Sequence, residues 1–187
     1  MPNGWKRKRD TIKHYDRTAK TYDVQYGEEQ NAKIEVALKD LHLDHKAMIL
    51  DEGCGTGRLF GHMTKSAKLI VGIDTSPNLL KQAKTKAKDY TNVAIIRADA
   101  DRTPFIAETF NHAFAFTLLQ NVPQPATTLE EMKRITRPKA SLIITGLKKQ
   151  FSLRDLTALL TNAQLDILCL RTDDQLKDHI AIGRKRL

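Results

Sequence analysis

The stretch Met48-Ile-Leu-Asp-Glu-Gly-Cys-Gly-Thr-Gly57 decides the fold, because an apolar run in it breaks into three alternate glycines. Ile49 and Leu50 are typical of the end of a buried parallel strand, and the glycines are typical of the turn that leaves it. A helix with apolar residues on one side follows, so its unpaired N–H groups face the turn. Strand, glycine turn and helix N-terminus together predict a nucleotide-type ligand site in a doubly wound α/β fold.

The spacing of these glycines argues against a dinucleotide site, which needs glycines at positions i, i+2 and i+5. Counted from Gly53 the third position is Arg58, and counted from Gly55 it is Phe60. The chain instead has Asp-x-Gly-x-Gly-x-Gly, which resembles the first motif of the class I S-adenosylmethionine-dependent methyltransferases. A glycine-rich turn of another α/β protein is the alternative. The resemblance implies S-adenosyl-L-methionine as the cofactor, with contacts from Asp51, Gly53, Cys54, Gly55 and Gly57.

Two further apolar runs also end in carboxylates, Asp74 and Asp99. At the tip of a parallel strand, the Asp74 carboxylate can accept two hydrogen bonds from ribose hydroxyls. The methyltransferase resemblance implies that Asp99 accepts a hydrogen bond from the adenine amino group and that the Ala100 N–H meets a ring nitrogen. Capping of a turn is the alternative for Asp99. Together with Asp51, these carboxylates follow successive strands and are expected to meet at one edge of the sheet; Thr75 joins this cofactor set.

The polar segment from Tyr15 to Tyr26 repeats a Tyr-Asp pair. It resembles the YDxxAxxYD lead-in of methyltransferases related to ubiquinone biosynthesis. The resemblance implies that the segment folds over the cofactor and helps to shape the acceptor pocket. Tyr22 and Tyr26 are the candidates for that role, and Tyr22 is also assigned to the cofactor set. An amphipathic helix that covers the sheet explains Tyr15 equally well.

The region after the fourth apolar run carries the acceptor-side candidates. Asn121-Val-Pro, the later Leu-Glu-Glu-Met-Lys-Arg and an Arg-Pro pair resemble the type 11 methyltransferases of the ubiquinone and menaquinone group, and the resemblance covers roughly residues 15–147. Gln120 and Asn121 could orient an acceptor, although capping of the next helix explains them nearly as well. Thr117 is assigned to the cofactor set, and Thr128 is predicted to begin a capping box. No general base and no metal ligand are assigned.

The order of apolar runs and helical patterns predicts one α/β domain with a mostly parallel sheet. Near the end, a helix capped by Ser152 precedes two β-rich runs, 165–172 and 178–184, whose closeness predicts an antiparallel hairpin. The class I resemblance implies a Rossmann-like, doubly wound sheet of seven strands finished by such a hairpin. Within the single domain 1–187 we predict a flexible basic tail (1–10), a helical lid or substrate segment (11–45) and a cofactor-binding core (46–187).

The net charge of +9 is concentrated at the two ends of the chain. Lys6–Arg9 and Arg184–Arg186 supply most of it, and no stacking aromatic residues interleave with these charges. Basic ends bind phosphate in a salt-dependent way, so contact with RNA and plain solubility explain them equally well. No apolar run approaches the ~20 residues of a membrane span. The two cysteines lack CxxC or metal spacing, which favours a reducing, cytoplasmic location.

Glu52 is unusual, because the type 11 pattern has an aliphatic residue at this position of the buried strand. A buried charge must find a partner, or its pKa rises. We therefore predict that Glu52 forms a hydrogen bond with a neighbouring loop at the edge of the site. His14 and His112 have no carboxylate partner at a diagnostic spacing, so structural roles are favoured for both.

The methyltransferase resemblance leaves the acceptor open. The chain has little sequence beyond the core sheet, so we expect an acceptor site that is open, or one completed by a partner. In some compact relatives the partner is a small activator protein bound along an apolar sheet edge. An open site with basic ends favours RNA or another translation component as the acceptor. The alternatives are a small-molecule acceptor such as a quinone or metabolite, a non-catalytic S-adenosylmethionine-binding module, and a nicotinamide-dependent oxidoreductase.

Overall fold

A seven-stranded sheet forms the centre of the computed structural model, which describes residues 2–39, 41 and 43–186. The strands are β1 (Met48–Glu52), β2 (Leu69–Asp74), β3 (Val93–Arg97), β4 (Phe110–Ala115), β5 (Thr136–Leu147), β6 (Leu165–Thr172) and β7 (Asp178–Lys185). Their order across the sheet is β3-β2-β1-β4-β5-β7-β6. The first five are parallel, and β7 pairs antiparallel with β5 and with β6. The predicted α/β sheet with its C-terminal hairpin is therefore confirmed.

Helices cover both faces of this sheet. They are α1 (Pro2–Leu38), α2 (Arg58–Met63), α3 (Pro77–Ala87), α4 (Pro125–Ile135) and α5 (Leu153–Asn162), with a 3-10 turn at Leu119–Asn121. Successive residues of β1 serve opposite faces, since side chains alternate along a strand. Ile49 packs in a core with α1, α2 and α3, whereas Leu50 packs in a second core with α4 and α5. This double burial explains the unbroken apolar run of β1.

Two helices begin at the predicted caps. The Ser76 hydroxyl accepts a hydrogen bond from the Leu79 N–H, and Pro77 occupies the first position of α3. At the start of α5, Ser152 and Asp155 form a reciprocal capping box. These caps determine where the chain turns back over the sheet after β2 and β5.

The capping box predicted at Thr128 is wrong. α4 begins earlier, at Pro125, whose fixed φ suits the first position of a helix. Thr128 therefore lies inside the helix, where its hydroxyl donates to Asp101. Glu131 accepts hydrogen bonds from Thr103 and Arg134 rather than from a helix cap. The two acidic side chains tie α4 to the loop after β3.

The basic segment near the N-terminus is not a flexible tail in this structure. Residues 4–10 continue α1 without a break, and Met1 of the predicted tail lies outside the described residues. Lysine and arginine are good helix formers, and long-range contacts hold this part of the helix in place. Lys8 forms ion pairs with Asp99 and Asp101, and Arg7 donates to the carbonyl oxygen of Gln120. The lid predicted for residues 11–45 is therefore longer at its N-terminal end.

The basic residues near the C-terminus lie at the opposite end of the strands from the carboxyl edge of the sheet. Along β7, Asp178 pairs with Leu147 at the carboxyl end of β5, whereas Arg184 pairs with Ser141, six residues nearer the start of that strand. Lys185 donates to the carbonyl oxygen of Thr136. The two basic ends of the sequence are thus separated by the length of the sheet, and only the N-terminal one adjoins the carboxyl edge.

Candidate cofactor-binding site

A cavity of about 330 Å³ lies at the carboxyl edge of the parallel strands, beneath the N-terminal half of α1. Loops after β1, β2, β3 and β4 supply its floor, which is the arrangement expected for a ligand site in an open α/β sheet. The predicted residues that line it are Tyr22, Gly53, Gly55, Asp74, Thr75, Asp99, Ala100, Thr117 and Asn121. Nine of the predicted site residues therefore lie together in the wall of one cavity.

The glycine turn after β1 requires glycine for two separate reasons. Gly53, Gly55 and Gly57 all have positive φ, at 70°, 54° and 77°. At Gly57 a Cβ atom would lie 2.3 Å from the Phe60 ring, so the helix after the turn could not pack as it does. Gly57 does not line the cavity, and its importance is in shaping the turn. Gly53 and Gly55 present bare backbone to the cavity.

Asp74 joins the glycine turn to the tip of β2. Its Oδ2 accepts a hydrogen bond of 3.0 Å from the Gly55 N–H, and its Oδ1 accepts one of 2.8 Å from the Ser76 N–H. Burial raises the pKa of Asp74, and these backbone donors oppose that rise. The carboxylate is therefore held in one orientation at the wall of the cavity.

Asp99 and Asp101 form an acidic pair at the tip of β3. Lys8 on α1 lies 2.6 Å from an oxygen of each. Burial disfavours the charge on Lys8, but its hydrogen bonds to Asp101 and Asp99 outweigh this effect and raise its pKa. The N-terminal end of the lid is thus bound electrostatically to the place where an adenine is expected.

Asp51 and Cys54 lie beside the main cavity rather than in its wall. They line a small adjoining cavity of about 40 Å³ with Gln30 and Arg58. Burial, followed by the nearby charge of Asp74, raises the pKa of Asp51 to about 8. Burial likewise raises the pKa of Cys54. A mostly protonated Asp51 at neutral pH is suited to donate a hydrogen bond into the glycine turn.

Thr117 is held by a buried polar network that sequence reasoning missed. It has a φ of 57°, and its N–H donates to the Thr145 hydroxyl at 2.8 Å. Its own hydroxyl accepts from Gln30 at 3.0 Å and from Lys33 at 3.1 Å. Lys33, which is 1% exposed, also lies 2.5 Å from Asp178. The lid, β4 and β7 are therefore joined directly behind the cavity.

The acceptor-side candidates separate in the structure. Asn121 lines the cavity and donates to the Thr117 carbonyl oxygen at 2.7 Å. Gln120 is buried, does not line the cavity, and its side-chain amide has no hydrogen-bond partner among the described residues. Tyr22 lines the cavity, whereas Tyr26 is 43% exposed and packs on the outer side of Tyr22. Burial raises the pKa of Tyr22 and raises that of Tyr15 to about 12.

Several lid residues in the wall were not predicted from the sequence. They are Trp5, Lys8, Thr11 and Ile12, which share one side of α1 with Tyr15 and Tyr22. Their spacing of three and four residues is a helical signal. It could have extended the predicted lid through the basic segment.

The hypothesis about Glu52 is wrong in its contacts. The side chain is fully buried, and neither carboxylate oxygen has a hydrogen-bond partner among the described residues. Burial, followed by the charges of Glu131, Asp101 and Asp51, raises its pKa. Glu52 lies on the face of the sheet that α4 covers, and it does not line the cavity. A buried carboxyl group without a hydrogen-bond partner is expected to lower the stability of the protein, and this one lies outside the wall of the cavity.

Residues 50–144 match the family described as a methyltransferase domain, which is half of the chain. The chain belongs to the methyltransferase domain family. This confirms the type 11 resemblance, and S-adenosylmethionine is the cofactor that accompanies it. The cavity suits that cofactor, since bare glycine backbone and two carboxylates, Asp74 and Asp99, face it at successive strand tips.

Related proteins share the same domain. A demethylmenaquinone methyltransferase of Staphylococcus saprophyticus is 28% identical over 113 residues, covering 57% of this chain and 47% of that protein. A malonyl-[acyl-carrier protein] O-methyltransferase of Marinomonas sp. is 26% identical over 144 residues, covering 76% of this chain and 53% of that protein. The chain thus spans about half the length of these curated relatives.

Solved structures confirm the fold. A Haloferax volcanii methyltransferase, in complex with the Trm112 methyltransferase activator, has a TM-score of 0.80 at 16% identity, covering 92% of this chain and 98% of that one. A SAM-dependent methyltransferase from Aquifex aeolicus has a TM-score of 0.72 at 22% identity, covering 81% and 88%. In the described part of this chain, no helix has the length and apolar character of a membrane span.

Proposed function

We propose that the protein transfers a methyl group from S-adenosylmethionine to an acceptor, with RNA or another translation component as the preferred class. The observation that carries this proposal is the cavity at the carboxyl edge of β1 to β4, where Gly55, Asp74 and Asp99 converge. Asp74 is proposed to bind the ribose hydroxyls, and Asp99 with the Ala100 N–H to bind adenine. Tyr22, Gly53 and Thr117 would enclose the remainder of the cofactor.

The bound cofactor supplies an activated methyl group, so the task of the protein is to position the acceptor and exclude water. Asn121 and Tyr22 are proposed to orient the acceptor, because both line the cavity near Thr117. Tyr15 and Tyr22 stay protonated at neutral pH, since burial raises the pKa of both. They can donate hydrogen bonds but are poor bases. This environment favours an acceptor that is nucleophilic without losing a proton first, such as a nitrogen with an available lone pair.

The preference for RNA rests on the basic N-terminal part of α1, which borders the cavity. The C-terminal basic residues lie at the opposite edge of the sheet and do not support it. A small-molecule acceptor is the alternative, because relatives include enzymes named for demethylmenaquinone and for malonyl-[acyl-carrier protein]. A non-catalytic S-adenosylmethionine-binding module would keep the same cavity. The cytoplasmic location stays a prediction.

A small activator protein is proposed as a partner. The support is a structural neighbour in complex with the Trm112 activator. In this chain β3 is an edge strand, and its Ile96 side chain is 37% exposed. Edge strands offer unpaired backbone groups to another chain. Soluble, partner-free protein with full methyl-transfer activity would argue against this requirement.

The experiment that tests the function incubates the purified protein with methyl-labelled S-adenosylmethionine and cell extract. Portions are then treated with ribonuclease or with protease. Label that ribonuclease releases identifies an RNA acceptor, label that protease releases identifies a protein acceptor, and label in the small-molecule fraction identifies a metabolite. Cofactor binding without any incorporation would favour the non-catalytic module.

A further inference from the structure

The outer face of α1 carries a row of cations beside the cavity. Residues 4–20 contain seven lysines and arginines but only two aspartates. Five of these cations recur at spacings that place them within one face of a helix, which turns by about 100° per residue. We call this row the basic stripe; it consists of Lys6, Arg9, Lys13, Arg17 and Lys20.

The basic stripe keeps a large excess of positive charge in the described structure. All five side chains are exposed, and none forms an ion pair with another described residue. Asp10 is the one acidic residue on the same face. The other aspartate of this part of the helix, Asp16, faces α3 and accepts hydrogen bonds from Ser76 and Asn78. Between Lys6 and Lys20 the stripe extends about 21 Å, given the helical rise per residue.

An open groove of about 690 Å³ lies between the Lys6 end of the basic stripe and the cofactor cavity. It lies between α1 and the loop that leads into α4. Lys6 belongs to both the stripe and the groove, which Arg7, His14 and the acidic Asp10 also line. Thr11, Tyr15 and Asn121 line both the groove and the cavity. Thr11 donates to the carbonyl oxygen of Asn121, so these residues form the wall between the two spaces, and a ligand lying along the stripe would adjoin the proposed methyl-transfer site.

We propose that the basic stripe and this groove bind single-stranded RNA, with the phosphates on the stripe and one unpaired nucleotide in the groove. This inference rests on the proposed function and gives its acceptor a binding surface. Length favours a polyanion over a small anionic metabolite, because five cations spread over about 21 Å can meet several phosphates of one strand at once. Unpaired bases are the parts of RNA that can enter a pocket. An acidic protein surface is the competing occupant, and the test below separates it.

The test measures binding of a fluorescently labelled, single-stranded oligoribonucleotide to the full chain by fluorescence anisotropy at several salt concentrations. The double variant Lys13→Gln/Arg17→Gln removes two stripe charges at residues that do not line the cofactor cavity. If two phosphate contacts are lost, the salt slope falls by about 1.4 and affinity at about 0.1 M salt falls roughly 10- to 30-fold. The matched control, Arg184→Gln/Arg186→Gln, removes the same charge at the opposite sheet edge and is expected to change affinity less than two-fold.

Two results would contradict the proposal that this surface binds RNA. One is equal weakening in the variant and the control, which would mean diffuse attraction to a basic protein. The other is competition by poly-glutamate as effective as that by unlabelled RNA, which would favour an acidic protein. Calorimetry with S-adenosylhomocysteine is run on all three proteins. RNA binding that depends on the stripe, without S-adenosylhomocysteine binding, would support the surface and contradict the proposed function. S-adenosylhomocysteine binding with RNA affinity insensitive to Lys13→Gln/Arg17→Gln would contradict the surface and support the proposed function.

Discussion

Lys8 on α1 lies 2.6 Å from Oδ2 of Asp99, the carboxylate proposed to receive the adenine amino group. The same ammonium group bridges to Asp101. The contact spans 91 positions of sequence and fastens the N-terminal end of the lid to the tip of β3. Adenine and Lys8 would therefore share the oxygens of Asp99, and Asp101 offers Lys8 a second partner when the cofactor is present. If Asp99 binds adenine as proposed, lid position and cofactor occupancy would be coupled at this one carboxylate.

Replacement of Lys8 by glutamine is expected to loosen the N-terminal turns of α1. The lost ion pairs are partly exposed to solvent, so we expect about 1 kcal/mol, which corresponds to an opening equilibrium about five-fold more favourable. Limited trypsin digestion measures this opening as the rate of cleavage after Arg7 and Arg9. Lys81→Gln on the exposed side of α3 is the control. An unchanged cleavage rate in Lys8→Gln would show that the ion pairs do not hold the lid.

Asp74→Asn is expected to weaken S-adenosylhomocysteine binding at least ten-fold. An amide has only one acceptor oxygen, whereas the Asp74 carboxylate already accepts from the N–H groups of Gly55 and Ser76. The amide nitrogen would face one of those donors and would distort the glycine turn as well as the ribose contact. Calorimetry measures the change, with exposed Asp89→Asn as the control. Equal affinity in Asp74→Asn and the native protein would remove Asp74 from the proposed site.

Local patterns predicted the parts of the fold that short-range chemistry decides. The buried apolar run at Ile49 and Leu50, the glycine turn and the cap at Ser76 each depend on neighbours within a few residues, and each is confirmed. Contacts between distant residues could not be predicted in this way. The ordered basic segment depends on Lys8 reaching β3, and the Thr117 network depends on Lys33 reaching Asp178, 145 positions away. Short sequence motifs do not indicate such long-range pairings.

Lys33→Met is expected to destabilise the protein by about 3–5 kcal/mol. The Lys33–Asp178 pair is almost completely buried, so removal of the ammonium group leaves a buried carboxylate without its counter-ion. The free energy of unfolding in urea measures this loss. The double variant Lys33→Met/Asp178→Leu removes both charges and is expected to recover most of the stability. A single variant no less stable than the double variant would contradict a charge-pairing role.

The same network predicts a functional effect of Lys33→Met. Thr117 loses one of its two donors, while Gln30 remains. We expect weaker S-adenosylhomocysteine binding even under conditions where the variant is fully folded, because Thr117 lines the cavity. Recovery of stability but not of affinity in the double variant would place the effect at Thr117 rather than in the fold as a whole.

Glu52→Gln is expected to make the protein more stable at high pH and to change little at low pH. Burial, with nearby Glu131, Asp101 and Asp51, raises the pKa of Glu52 in the folded state above its unfolded value of 4.5. The folded state then binds more protons than the unfolded state above that value, so native stability falls as pH rises until the folded pKa is reached. Each unit of pKa difference corresponds to about 1.4 kcal/mol.

Urea unfolding of the native protein and Glu52→Gln between pH 4 and pH 8 measures this dependence. The stability gained by the variant should be smallest around pH 4 and should increase towards pH 8. Glu130→Gln, at a largely exposed carboxylate of α4, is the matched control. Parallel pH profiles for the native protein and Glu52→Gln would mean that Glu52 is charged and solvated in the folded state, contrary to its burial here.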